Sequence, residues 1–325
     1  MNNNNSRAQT LKKNPVINYI LTNWGMLVGL IALCVIFTLT SENNNFASST
    51  NIINILRQIS MNAIIAFGMT MVLIIGGIDL SVGSVSALCG CTAVAVINGG
   101  LGLPMGILAA LGIGALIGFA NGFIIAKVKM PPFIVTLAMM QIARGFAYIY
   151  TDGKPTPISH EGFDAIGNGS IGVIPIPIIL MIGALIITSL ILNRTRFGRN
   201  IYAIGGNREC AHFSGVNVPA TEVWVYVTNG LLTAVSGLIL TSRMGSGQPM
   251  VGEGAEMDAI AAAVLGGASF SGGIGRIGGT IIGALVLGVL SNGLNLLQVG
   301  YYWQQVIKGA IILVAVYVDL IKKQK

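Results

Sequence analysis

Long apolar stretches separated by short polar segments run through most of the 325-residue chain. A helix needs about 20 apolar residues to cross the hydrocarbon core of a bilayer. Ten stretches approach this length, so the pattern predicts ten membrane-spanning helices, of which the eighth is short for a full crossing. They cover approximately residues 23–40, 59–75, 80–97, 104–126, 132–150, 174–192, 223–241, 257–270, 277–296 and 303–320.

The basic residues predict which way these helices cross the membrane, because positively charged loops stay in the cytoplasm. An even number of spans places both termini on one side, and bases near both termini favour the cytoplasm. The loops after the fourth and sixth spans are predicted inside, and the more acidic loop after the fifth is predicted outside. The inner residues are Arg7, Lys12, Lys13, Lys127, Lys129, Arg194, Arg196, Arg199, Arg208, Lys322, Lys323 and Lys325; the outer ones are Asp152, Lys154, Glu161 and Asp164.

The spans divide the chain into a cytoplasmic tail (1–22), a transmembrane domain (23–320) and a short cytoplasmic tail (321–325). The polar N-terminus lacks the apolar core and cleavage site of a signal peptide, so we expect the first span to be retained. This topology also places the base Arg243 on the outer side, which the positive-inside rule does not explain.

Composition supports lipid as the main solvent. Only 9% of the residues are charged and 54% are hydrophobic, whereas soluble domains carry about 25% charged residues. The net charge of +7 arises from bases at the ends and in polar gaps, so we predict no nucleic-acid partner. Glycines at every fourth position predict two faces for close helix packing. These are Gly114, Gly118 and Gly122, and Gly275, Gly279 and Gly283.

Residues suited to catalysis or cofactor binding are few. The only histidines, His160 and His212, are predicted on opposite sides of the membrane, and no catalytic triad or metal cluster is legible. Residues 273–278 match the glycine pattern of a dinucleotide-binding site, but the strand–helix–strand unit that should contain it is not predicted. Gly153-Lys154 is followed by a proline and therefore does not complete a nucleotide-binding P-loop. We therefore predict no catalytic residue, cofactor or metal; any ATPase must be another chain.

Two acids stand close to predicted membrane depth, where charges are expensive. Asp79 lies between the second and third spans, and Asp258 follows Glu253 and Glu256 into the eighth. Asp79 fits a helix N-cap, and the alternative is a gate or subunit contact. Asp258 fits an acid favoured by the helix dipole in a first turn.

Two glycine-rich segments share the pattern Gly-Gly-x3-Ser-x-Gly, at residues 76–83 and 266–273. Glycine-interrupted segments in two halves of a transporter can mark discontinuous helices. The predicted topology places both segments on the cytoplasmic side, which argues against a simple inverted repeat.

The longest predicted cytoplasmic loop, about 194–220, contains a candidate short helix. Asn207 can cap its start, and Gly215 can end it. The loop is either a solvated connection whose bases set the topology or a docking element laid on the cytoplasmic face.

Four stretches together resemble the ribose-type permease subunits of bacterial ABC importers for simple sugars, and the resemblance covers essentially the whole chain. They are residues 77–83 (GIDLSVG), 195–207 (TRFGRNIYAIGGN) with 214–216 (SGV), 258–273 (DAIAAAVLGGASFSGG) and 292–295 (NGLN). The resemblance implies an all-α type II importer-like bundle in the bacterial inner membrane. It implies a second permease copy, a cytoplasmic ABC ATPase and a periplasmic sugar-binding protein as partners.

The resemblance also implies roles for individual residues. The loop after the sixth span corresponds to the element that couples the permease to its ATPase, with Cys210 a mild departure from the usual small residue. The implied coupling residues are Gly206, Asn207, Glu209, Ala211, Ser214 and Gly215. The implied gate or translocation-path residues are Asp79, Ser81, Asp258, Ser271, Asn292 and Asn295.

Two other classes remain open at this point: a self-sufficient secondary transporter or channel for a small polar solute, and an integral membrane enzyme. Ribose is the first choice of substrate. Allose, xylose, galactose-type sugars, inositol and cyclised signalling furanoses are alternatives.

Overall fold

The computed structural model describes residues 24–324, and these residues fold mainly into helices. The helices are α1 (Trp24–Thr40), α2 (Ser49–Ile74), α3 (Val82–Val96), α4 (Gly102–Phe123), α5 (Pro132–Thr151), α6 (Glu161–Asn168), α7 (Ile176–Arg194), α8 (Arg196–Gly206), α9 (Arg208–Phe213), α10 (Val218–Met244), α11 (Ala255–Leu265), α12 (Ile277–Leu296) and α13 (Tyr301–Gln324). Short helical turns at Glu42–Ala47, Ile97–Leu101 and Ile124–Val128 extend or join them. Two antiparallel strand pairs complete the fold: β1 (Thr156–Pro157) with β4 (Ser246–Gly247), and β2 (Ser170–Ile171) with β3 (Ile174–Pro175).

Six segments of the described chain are long and apolar enough to cross a membrane. One of them, Val82–Val128, contains both α3 and α4, which separate where Gly100 and Gly102 adopt positive φ angles of 84° and 81°. The protein is therefore an all-α membrane protein. The predicted tail 1–22 lies outside the described residues, and α13 continues to Gln324, past the predicted boundary at residue 320.

Helices α2 and α10 form an antiparallel pair at the centre of the bundle. Ser236 Oγ donates to the carbonyl oxygen of Met61 at 3.0 Å, whereas Gly68, further along α2, packs against Asn229, earlier in α10. Residues 63–74 of α2 are buried on every side. An apolar surface all round is typical of such a central helix.

The first predicted glycine face is confirmed, because Gly114, Gly118 and Gly122 press against the backbone of α10. In the second set, Gly279 and Gly283 pack against α11, but Gly275 lies before the start of α12. The helical placement of Gly275 was therefore wrong. The chain before α12 instead forms a loop bonded to the end of α2, where Gly273 N donates to Ile74 O at 2.8 Å.

The antiparallel pair defines two ends of the bundle. At the end of α2, which we call the basic end, the chain carries Lys129, Arg208 and the short helices α8 and α9. The opposite end holds α6, the strand pairs and the last turn of α10 with Arg243, whose guanidinium reaches back to the Met61 sulfur at 3.9 Å.

Two segments enter the bundle from these opposite ends. Residues 75–81 turn back from the end of α2, and α3 begins inside the bundle. Residues 245–254 descend from the end of α10, held by Arg144, whose guanidinium donates to the carbonyl oxygens of Pro249 and Val251. The two segments meet where the backbone of Gly252 packs on that of Gly83, with no room for a side chain at Gly83.

The eighth predicted span, 257–270, is short, as expected, but it ends five residues earlier than predicted. The helix there, α11, has 11 residues and is about 16 Å long. It ends at Leu265 because Gly266 packs against the backbone of Gly279 and Thr280, and Gly267 then adopts a positive φ of 87°. Helix α11 is therefore a half-length helix that begins inside the bundle.

Candidate functional site

The predicted docking segment, about 194–220, folds as two short helices, α8 and α9, at the basic end. Asn207 caps α9 as predicted, because its Oδ1 accepts from Cys210 N at 2.9 Å. Gly215 ends α9 with a φ of 83°, while Val216 N donates back to Ala211 O at 3.0 Å. Both local signals in the sequence are thus confirmed.

Helix α9 presents one face to the bundle and the other to its surroundings. Of the six predicted coupling residues, only Ala211 is buried. The exposed ones are Gly206, Asn207, Glu209, Ser214 and Gly215. Phe213 was missed by the sequence analysis, although it is 86% exposed. The available signal was the one large apolar side chain in the segment 207–214, whose other residues are polar or small.

An ion pair fastens the start of α9 to α10. Arg208 Nη2 donates to Glu222 Oε2 at 2.7 Å, and Nη1 donates to Oε1. The Glu222 side chain is only 3% exposed. A two-bonded guanidinium–carboxylate pair fixes orientation as well as distance, so α9 is held at a defined position on the bundle.

Helix α8 packs against both glycine-rich segments that the sequence singled out. A Cβ at Gly205 would overlap the carbonyl oxygen of Ile74 and crowd Gly273 N. Tyr202 Oη donates to Gly275 O at 2.7 Å. The two segments therefore lie at the same end, as predicted, and α8 lies on both.

Burial of the Tyr202 side chain has an electrostatic consequence. Loss of solvent raises the pKa of the Tyr202 phenol, and the positive charge of Arg276 opposes that rise. The phenol therefore keeps its proton, which is the proton donated to Gly275.

A cleft of about 370 Å³ opens at the basic end beside this packing. It lies between the re-entrant segment after α2, the start of α5 and the start of α10. Its polar lining comes from Lys129, Arg208, Glu222 and Tyr226. The cleft is therefore bordered by the ion pair that holds α9.

Asp79 does not cap α3, so that prediction was wrong. The residue before α3 is Ser81, and Asp79 Oδ1 accepts from both the Ser81 amide and its hydroxyl, at 2.9 and 2.6 Å. Asp79 Oδ2 accepts from Asn229 Nδ2 at 2.8 Å, and Asn121 Nδ2 donates to Ser81 Oγ at 3.1 Å. Asp79 and Ser81 thus tie the re-entrant segment to α10 and α4.

The remaining predicted path residues lie in separate places. Ser271 is exposed in the loop before α12, at the basic end. Asn292 and Asn51 exchange amide hydrogen bonds at 2.9 Å, and Asn295 Oδ1 accepts from Gln304 at 2.7 Å, both at the opposite end. The structure thus does not bring the six predicted path residues together.

Asp258 lies in the first turn of α11, as the sequence predicted. Its Oδ2 accepts from Lys308 Nζ of α13 at 3.1 Å and from Asn62 Nδ2 of α2 at 3.3 Å. Sequence reasoning missed both partners. Lys308 could have been found, since it is the only charged residue in the apolar stretch 303–318.

The sequence matches a known protein family over most of its length. The profile of the family described as "Branched-chain amino acid transport system / permease component" matches residues 51–316. The chain is 46% identical over 315 residues to "Ribose import permease protein RbsC" of Bacillus subtilis (strain 168), covering 96% of this chain and 97% of that protein.

Two further relatives extend the comparison. "Ribose import permease protein RbsC" of Haemophilus influenzae is 47% identical over 294 residues, which cover 89% of this chain and 91% of that protein. "L-arabinose transport system permease protein AraH" of Escherichia coli (strain K12) is 45% identical over 308 residues, which cover 94% of this chain and 92% of that protein. The chain belongs to the branched-chain amino acid transport system / permease component family.

Proposed function

We propose that the chain is the membrane-spanning permease subunit of an ATP-driven importer for ribose or a related monosaccharide. The observation that carries the proposal is the pair α8–α9 at the basic end. An exposed short helix fixed to the bundle by an ion pair can receive movement from another chain. Names of the close relatives, which include ribose and L-arabinose permeases, supply the substrate class.

In this proposal the chain crosses the bacterial inner membrane ten times, with both termini in the cytoplasm. Ten of the described helices support it: α1 to α5, α7, and α10 to α13. The basic end then faces the cytoplasm, in agreement with the positive-inside rule. Two copies of the chain would form the transmembrane part of the importer.

The ATPase would be a separate cytoplasmic chain that docks on α9. Phe213 is suited to be the docking anchor, because an exposed aromatic ring supplies a large apolar contact area. The buried Ala211 instead keeps α9 seated on the bundle. Gly206, Asn207, Glu209, Ser214 and Gly215 surround that anchor on the exposed surface.

Movement received by α9 would pass into the bundle through two connections. The Arg208–Glu222 pair links α9 to α10, and α8 lies directly on the segments that follow α2 and α11. A rigid link between α8 and these segments would let one displacement move both interrupted spans.

The substrate would arrive at the opposite end on a periplasmic sugar-binding protein. We propose the path residues as Asp79, Ser81, Asp258, Ser271, Asn292 and Asn295, with Asp79 and Ser81 setting the shape of the re-entrant segment rather than contacting sugar. The chain would carry out no catalysis itself.

Reconstitution tests the proposal. The purified chain should give ATP-dependent uptake of D-ribose into liposomes only together with its ATPase and loaded binding protein. Phe213→Ala should lower uptake and co-purification of the ATPase, whereas Phe133→Ala, at another exposed phenylalanine, should lower neither. Flux through the chain alone would identify a secondary transporter or channel instead.

A further inference from the structure

A charged cluster lies halfway along the central helix α2. Asn62 is 13 residues from the first residue of α2 and 12 from its last, hence about 20 Å from one end and about 18 Å from the other. It contacts Asp258, which in turn binds Lys308. An ion pair between membrane-spanning helices is expensive and usually marks a functional path.

The cluster is open rather than sealed. The side chains of Asp258 and Lys308 are each 21% exposed, and a small cavity of about 40 Å³ adjoins them. Gln58 and Ser291 add polar groups to its lining. Such a volume accommodates a water molecule or one hydroxyl group rather than a whole sugar.

Hydrogen-bonding capacity remains unused in the cluster. Both bonds to Asp258 are made by Oδ2, and no donor among the described residues reaches Oδ1. Lys308 uses one of its three ammonium protons on Asp258. The cluster can therefore accept a hydroxyl proton at Oδ1 and donate to a hydroxyl oxygen from Lys308.

We infer that Asp258, Lys308 and Asn62 form a contact site for an uncharged polyol as it crosses the membrane. Opposite charges within one pair leave no net charge to favour an anion or a cation. Adjacent donors and acceptors match the hydroxyl groups of a sugar. This inference rests on the proposed function. It adds Lys308 and Asn62 to the translocation-path residues proposed there.

Helix α11 adds a physical reason for the position of the site. It is a half-length helix that begins inside the bundle, with Asp258 in its first turn. Discontinuous helices that begin near the bilayer midplane commonly build the substrate sites of transporters. The site lies where such a start meets α2 and α13.

The test uses the complete importer in proteoliposomes, with D-ribose as the probe. The double variant Asp258→Asn/Lys308→Met removes both charges at nearly constant shape. Uptake should fall at least about tenfold, the expected loss for a charge-assisted hydrogen bond. ATP hydrolysis stimulated by loaded binding protein should stay within about twofold. Gln305→Met, at an exposed position of α13, serves as the matched control and should import normally.

A second variant distinguishes a site that contacts the sugar from an ion pair that only links α11 to α13. Ser291→Cys, with Cys34 and Cys210 replaced by serine, should react with a hydrophilic thiol reagent, and D-ribose should slow the reaction during turnover. Normal uptake by the double variant, or a Ser291→Cys thiol that never reacts, would overturn the inference. Wild-type importer without ATP-dependent uptake would instead refute the proposed function.

Discussion

The two ion pairs seen among the described residues sit in opposite kinds of surroundings. Arg208 and Glu222 share two hydrogen bonds, and the carboxylate is almost fully buried. Asp258 and Lys308 share one bond beside a small cavity, and both side chains stay partly exposed. The first arrangement holds a helix in place, whereas the second leaves hydrogen-bonding groups available.

Packing around the pairs shows the same contrast. Near the first pair, α8 touches the ends of two interrupted spans through backbone atoms and one phenol. Around the second, four helices leave a polar gap. The basic end is therefore closely packed, whereas the Asp258–Lys308 pair lies beside a small cavity with polar groups in its lining.

The largest expected effect comes from disrupting the closely packed basic end at Gly205. Gly205→Ala places a methyl group on the carbonyl oxygen of Ile74 and should destabilise the protein by about 3 kcal/mol through overpacking. Thermal unfolding in detergent measures the loss. Gly206→Ala meets open space and should unfold like wild type; equal losses for the two variants would contradict the packing argument.

A direct comparison of the two pairs should give the next largest effect. Arg208→Met leaves the buried carboxylate of Glu222 unpaired and should cost about 2 kcal/mol, less than a fully buried pair because the arginine is half-exposed. Lys308→Met leaves Asp258 partly solvated and bonded to Asn62, so about 1 kcal/mol is expected. Chemical unfolding of both variants checks the order, and a larger loss for Lys308→Met would reverse the comparison.

The smallest expected effect tests the hydrogen bond between α8 and the loop before α12. Tyr202→Phe removes only the hydrogen bond to Gly275, for which about 1 kcal/mol is expected. ATPase assays on the complete importer should show hydrolysis that continues while sugar uptake falls. Tyr302→Phe, at an exposed tyrosine, is the control. Parallel loss of hydrolysis and uptake in Tyr202→Phe would indicate a structural role alone.

Local chemistry explains which parts of the site were predictable. The Asn207 cap and the Gly215 stop depend on residues within a few positions of each other, and both were correct. Helix α2 begins ten residues before the predicted start of its span. Its first turns carry polar residues such as Asn51, Asn54 and Arg57, and hydropathy reports the preferred solvent rather than the extent of the helix.

Contacts between distant parts of the chain were not predictable. Asp79 was expected to cap its own helix, but its second oxygen binds Asn229, 150 positions away. Asp258 was singled out, whereas its partners Lys308 and Asn62 come from other spans. The spacing of residues along one chain cannot show which spans become neighbours. A single sequence also contains no information about covariation between contacting positions.

The contact between Gly83 and Gly252 has a consequence for permeability. A bilayer insulates across about 30 Å of hydrocarbon, but here polar backbone approaches from both ends of the bundle and meets near its middle. The two glycine backbones are in direct contact there, so permeability to ions should rise if a larger residue at either position pushed the two segments apart.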